Sequence, residues 1–386
     1  MAKVITVLGA IDADELGFTT MHEHTISKPA VLTKILLKSM PDMIKGINGC
    51  REGADIGEEA ERRKAEEIDG LPQASVGAVI KSMKMPKDNP NRKLSDIDYY
   101  TKELEAFQEI GGSTLVDCSP LPFPGISPGT RKILSERTGI HIIVPAGYYV
   151  KCSIPKKDIK KGEAWMQEKV ENYLDVGDRK SGVKPGFVKC AVSAVNNGAI
   201  AQEEMMAVRA CAFAAKSHGM CLHIHTAFPV RRHMVLALAD MLVHEIGIAA
   251  DRVVFCHMDS YNLGSGNPTA KINKSGFEIE LPAELAKRGF HIGLDTWGGA
   301  YGWSEEAVFH RTARVEMLKM LVDMGFTENI TLGHDMMNKA SGVLNHGGGY
   351  TCWPHLIEQM EKDGILSRET VEVLTKENPK NLMSIK

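Results

Sequence analysis

The sequence predicts an α/β protein folded as a single (β/α)8 TIM barrel, with a long insertion after the first strand. Three observations lead there. Short apolar runs alternate with amphipathic segments from about residue 111 to the end, and together with "GFTTMHEH" near the start they number eight. Alternation of that kind implies a parallel sheet. Neither GxGxxG nor GxxxxGK[ST], the phosphate loops of open doubly wound sheets, occurs in the 386 residues.

In chain order, "GFTTMHEH" (17–24) is the first strand. "STLVDCS" (113–119) and "HIIVPAG" (141–147) are the second and third, and "TRKILSERTG" (130–139) between them reads as a helix ended by Gly139. "GFVKCAVS" (186–193), "MCLHIHT" (220–226), "RVVFCHMD" (252–259), "FHIGLD" (290–295) and "NITLGHD" (329–335) complete the set. Helical patterns at 202–219 and 313–326 precede the fifth and eighth strands. Residues 1–386 are read as one catalytic barrel. The segment 26–98 is far longer than a crossover needs. It follows strand 1 and therefore emerges at the catalytic face, where it serves as a lid, an oligomer contact or surface decoration.

Composition narrows the function. Hydrophobic residues make up 43% and charged residues 25%, and the net charge is −3. This balance argues against a nucleic-acid binder, and no stretch reads as a membrane span. The start "MAKVITVLGAIDADELG" lacks the pattern of a secretory signal, so a cytoplasmic protein is expected. The eight cysteines form no CxxC pair and are expected as reduced, mostly buried thiols.

Polar residues stand near the C-terminal ends of the predicted strands, where a barrel builds its site. They are His22 and His24, Lys189, His225, His257 and Asp335. Residues i and i+2 of a strand share a face, so His22 and His24 are either a metal claw or a histidine-rich turn. Lys189 lies inside the apolar "FVKCAV". A buried ammonium is costly, so this lysine must be paired, neutral or modified. Carbamylation by carbon dioxide, which needs a neutral amine, would make it an anionic bridge between two metals.

Taken in order and at barrel spacing, "GFTTMHEH", "GFVKC", "HIHTA", "VVFCHMD", "IGLD" and "ITLGHD" resemble the phosphotriesterase-like family of the amidohydrolase superfamily. The resemblance covers about residue 5 to the C-terminus, apart from much of 26–98. It implies that His22, His24 and Asp335 bind the more buried metal, that His225 and His257 bind the more exposed one, and that carbamylated Lys189 bridges them. Asp335 and Lys189 then carry catalysis, with Asp335 as general base. His223 is expected as inner-layer packing and His334 as support for the ligands. Two divalent ions are implied, zinc first, with manganese, iron, cobalt or nickel also compatible with such ligands.

The chain departs from the organophosphate-cleaving members, in which a histidine follows the strand-7 aspartate and a second aspartate follows the strand-6 HxD. Thr296 and Ser260 stand in those places. The leading expectation is therefore hydrolysis of a lactone or related carboxylic ester. The alternative is an amide or organophosphate ester cleaved at the same site, and a catalytically inactive ligand-binding barrel is a third reading. Tyr148, Arg131, Asp295 and Trp297 are the candidates for substrate contact, with Tyr149, Arg231, Arg232 and Trp303 as further candidates for the pocket. A small-molecule substrate and a homo-oligomer, taken as a dimer, complete the expectation.

Overall fold

The computed structural model describes residues 2–26, 38, 88–120, 127–193, 195–196, 199–226, 230, 232–259, 279–297, 305–337 and 339–386. A hairpin of β1 (Lys3–Thr6) and β2 (Gly9–Asp12) precedes the first barrel strand, β3 (Phe18–Glu23). Then follow β4 (Gly112–Asp117), β5 (His141–Ile143) and β6 (Pro145–Gly147), the last two forming one stave parted at Val144. The next stave is β7 (Phe187–Val192), beyond which β8 (Val195–Asn196) and β9 (Ala199–Ile200) make a small hairpin. The remaining staves are β10 (Leu222–Thr226), β11 (Val253–Cys256), β12 (His291–Leu294) and β13 (Ile330–Leu332).

Neighbouring staves pair in parallel, β3 to β4 to β5 and β6 to β7 to β10 to β11 to β12 to β13. The ring closes between β13 and β3, where the Asp335 N–H donates to the His22 carbonyl at 3.0 Å. Gly333 makes that approach possible, because a Cβ there would lie 2.8 Å from the His22 carbonyl oxygen. Every barrel strand expected from the sequence is present. The alternation that reveals them arises because inward and outward side chains are both buried, the outward ones beneath helices.

Those helices follow the sequence signals. Pro128–Thr138 begins with proline and ends at Gly139, whose φ of 73° only glycine adopts without strain. Gln202–Ser217 packs Ala207, Val208, Cys211 and Ala215 against the sheet. Glu305–Asp323 starts earlier than the apolar pattern suggests. Among the described residues, no helix is long and apolar enough to cross a membrane. The described cysteines are all free thiols, and all but Cys152 are buried.

Of the expected insertion, 27–87 lies outside the described residues apart from Lys38. Its far end does reach the catalytic rim. Asn89 and Asn91 donate to the Leu344 carbonyl at 3.3 and 3.1 Å, on the loop after β13. In helix Asp96–Glu109, the Glu103 carboxylate accepts the N–H groups of Val343 and Leu344.

The opposite end of the barrel is sealed by the two chain ends. The Ile385 N–H donates to the Lys3 carbonyl at 3.0 Å, and the Lys386 N–H to that of Gly219 at 3.1 Å. Arg252, just before β11, donates to the carbonyls of Gly219, Asn381 and Ser384.

Candidate metal centre

The strand ends bring the sequence-selected residues together. His24 Nε2 lies 3.1 Å, and His22 Nε2 3.8 Å, from Asp335 Oδ1. His257 Nε2 and His225 Nδ1 approach to 2.7 Å, and the rings of His22 and His257 lie 4.7 Å apart, joining the two groups. Lys189 sits beside His223 in the β7–β10 register, pointing into the barrel beneath them, with its Nζ 3.1 Å from Cys256 Sγ. His257 and Asp335 both have left-handed backbones, φ 64° and 57°, uncommon for residues other than glycine.

His22 and His24 are each aimed by a bond from the other ring nitrogen. His22 Nδ1 is 2.7 Å from Asp295 Oδ2, and His24 Nδ1 is 2.7 Å from Ser119 Oγ. Both Nε2 atoms are thereby turned to the centre, the orientation that metal-ligating histidines show. Asp295 Oδ1 accepts the His257 N–H at 2.9 Å and lies 2.8 Å from its Nδ1. Asp117 in turn fixes Ser119 and Thr25 by accepting their N–H groups.

Charge is finely opposed in this space. Burial and the nearby Lys189 charge push the His22 imidazolium down to about 4. Burial and the neighbouring His257 hold His225 well below the usual range, so both rings offer lone pairs at neutral pH. For Asp335 burial favours the neutral acid, but the His24 hydrogen bond and the His22 and His257 charges outweigh it and keep it a carboxylate. Burial disfavours the Lys189 ammonium, but the neighbouring Cys256, Cys118 and Asp295 outweigh it and hold the group above the ordinary lysine range. Burial in turn raises the Cys256 thiol to about 12 and Cys118 well above its usual value.

The donor set fits divalent metal. One ligand atom each from His22, His24 and Asp335 falls within 4.8 Å of the others, as do those of His22, His257 and Asp295. Both Asp295 oxygens are already engaged by the histidines, so its part is to aim His22 and His257. Imidazole and carboxylate donors are those of zinc, manganese, iron, cobalt or nickel sites.

The expected substrate contacts fare differently. Arg131 is 0% exposed and its guanidinium binds Asp117 Oδ2 at 2.8 Å and the Thr25 carbonyl at 2.7 Å, so it braces the loop instead of reaching a substrate. Tyr148 turns outward, its hydroxyl 3.3 Å from Asp158 and its ring among the core residues under the helices. Trp297 is likewise 0% exposed and donates to the Leu294 carbonyl, which makes it core. Tyr149 is the aromatic at the mouth, with its hydroxyl 3.5 Å from His225 Nδ1. Arg231, Ser260 and Trp303 lie outside the described residues. Arg232 pairs on the surface with Glu280. His223 packs against Phe187 in the inner layer, as expected, whereas neither ring nitrogen of buried His334 has a hydrogen-bond partner among the described residues. Thr296 donates its hydroxyl to Asp259, which Arg314 also binds, in place of an imidazole relay.

Glu23, Asp117, Ser119 and Asp259 also shape the site, although no motif singles them out. An acid lodged between two strand-end histidines was the available signal for Glu23; the others show only in three dimensions.

Comparison with known proteins identifies the family of the chain. The model of the phosphotriesterase family matches residues 2–383. The chain belongs to that family. It is accordingly a hydrolytic enzyme, of a phosphotriesterase family that is typically metal-dependent. Curated relatives include N-acetyltaurine hydrolases from Dictyostelium discoideum, 25% identical over 392 residues, and from Salmo salar, 26% identical over 400 residues. Each alignment covers 100% of this chain and 98% of the relative. Among solved structures, a lactonase from Listeria monocytogenes superposes with a TM-score of 0.68 at 20% identity, covering 100% of both chains. A phosphotriesterase homology protein from Escherichia coli, with phosphate in its active site, gives 0.66 at 17% identity, covering 96% of this chain and 100% of its own.

Proposed function

We propose that this phosphotriesterase-family chain is a two-metal hydrolase of a small carboxylic amide, with N-acetyltaurine the first compound to try. The observation that carries the reading is the convergence of His22, His24, His225, His257 and Asp335 above the buried amine of Lys189. His22, His24 and Asp335 would hold one ion, His225 and His257 the other, and Lys189, as a carbamate formed with carbon dioxide, would join them. When bound, the ions supply Lewis acidity for a carbonyl oxygen and lower the pKa of a water.

The chain's own residues do the rest. Asp335, kept anionic among histidines, accepts a proton from the attacking water as its oxygen bonds to the carbonyl carbon. It returns that proton to the departing nitrogen as the C–N bond breaks. Asp295 and Ser119 keep the imidazoles aimed throughout, and the Tyr149 hydroxyl stands beside His225, where a substrate would enter.

The amide is favoured over the lactone because relatives matched along essentially their whole length carry an amide hydrolase name. Lactone opening is the second reading, supported by the likeness to the lactonase structure. The test is a panel of N-acyl amines and lactones, run on protein reconstituted with zinc or manganese and bicarbonate. Free amine is read by fluorescent derivatisation and ring opening by a pH indicator. Amine release with little lactone turnover is expected. The reverse pattern would transfer the site to lactones, and no turnover by a protein that takes up no metal would return it to a ligand-binding barrel.

A further inference from the structure

We propose that Glu23, the residue between the two strand-end histidines, is a positioning residue that holds Asp335 in its working conformation. The inference rests on the reading of Asp335 as a metal ligand. Alternation along β3 turns Glu23 away from the face of His22 and His24, and it reaches the turn after β13. It is 0% exposed. Its Oε1 accepts the His334 N–H at 2.9 Å and its Oε2 the Met336 N–H at 3.1 Å. The amide between them, that of Asp335, donates to the His22 carbonyl at 3.0 Å. Three successive N–H groups around one carboxylate ligand are thus bound by two adjacent residues of the opposite strand.

That grip acts where the backbone is least self-supporting. Asp335 has φ 57°, a region a non-glycine residue keeps only when its surroundings impose it. The other left-handed ligand has a matching restraint, because His257 gives its N–H to Asp295 Oδ1 at 2.9 Å. Each strained strand end is met by a carboxylate from a neighbouring strand. Glu23 is itself backed from outside the barrel. Thr20 donates its hydroxyl to Oε1 at 2.6 Å and accepts the Trp353 indole N–H at 3.0 Å.

Glu23→Gln keeps the volume but presents amide hydrogens to one of the two N–H groups. The test compares it with Asp335→Asn, reading zinc affinity by chelator competition, the visible spectrum of the cobalt-loaded protein, and thermal unfolding of the metal-free protein. We expect Glu23→Gln to lose about 10- to 100-fold in affinity for one of two zinc ions, the range found when a supporting partner of a ligand is removed. An altered cobalt spectrum and little change in metal-free unfolding should accompany it. Parental affinity and spectrum in Glu23→Gln, alongside loss of one ion in Asp335→Asn, would overturn the positioning role. Two tightly held ions in Asp335→Asn would instead overturn the ligand reading beneath it. If Glu23→Gln does not fold, Thr20→Val, which removes only the outer support, should weaken the same ion a few-fold; unchanged affinity there would also overturn the proposal.

Discussion

At the end of the barrel where the strands begin, Arg252 places its guanidinium on three backbone carbonyls at 2.7–3.2 Å, and both chain termini add ladder-like bonds of about the same length. At the end where the strands finish, four histidines and a carboxylate converge, two of the candidate ligands, His257 and Asp335, hold left-handed backbones, and a lysine side chain is buried against thiols. The first end joins the chain to itself with bonds that gain nothing from rearranging. The second keeps lone pairs unneutralised and backbone strained, a state that another carboxylate must impose at each strained point. Stability and chemistry are thus separated along the barrel axis, as expected of this fold.

That separation can be broken or sharpened by substitution. Lys189→Ala should have the largest effect, cutting turnover by more than about 100-fold and lowering the metal count from near two ions per chain, measured by elemental mass spectrometry. A variant with both ions and full turnover would dissolve the contrast at its source. Asp295→Asn comes next. Its loss of charge should weaken the aim of His22 and His257 and cost about 10- to 100-fold in metal affinity, read by chelator competition, with a smaller effect on folding. Arg252→Ala should leave turnover per folded molecule unchanged and cost about 2–3 kcal/mol in denaturant unfolding, the scale of a lost charged donor. A drop in turnover there would show that the sealed end feeds into the site.

The two ends were not equally legible in the sequence. All eight barrel strands could be read, because paired faces under helices leave continuous apolar runs. The metal-centre candidates could be read because His22, His24, Lys189, His225, His257 and Asp335 are polar residues lodged in or just past those runs, and the structure brings them together. The substrate contacts could not. β6 ends at Gly147, whose φ of 141° turns the chain, so that Tyr149 and not Tyr148 faces the mouth. Arg131 looked available because its partner, Asp117, stands on a strand 14 residues earlier. Trp297 looked like loop because the residue that packs on its carbonyl, Cys352, comes from a segment 55 residues away. Periodicity reports which face a residue takes and is silent about what waits there.

The joint between β13 and β3 has a mechanical meaning. It is where the first and last barrel strands meet, and among the described residues it is spanned by the backbone bond from Asp335 to His22 in place of a strand ladder. An ion gripped by His22 and His24 on one side and Asp335 on the other would lie across that joint like a clasp. Emptying it would loosen the ring at its seam first, and filling it would tie the two halves of the chain into one closed hoop.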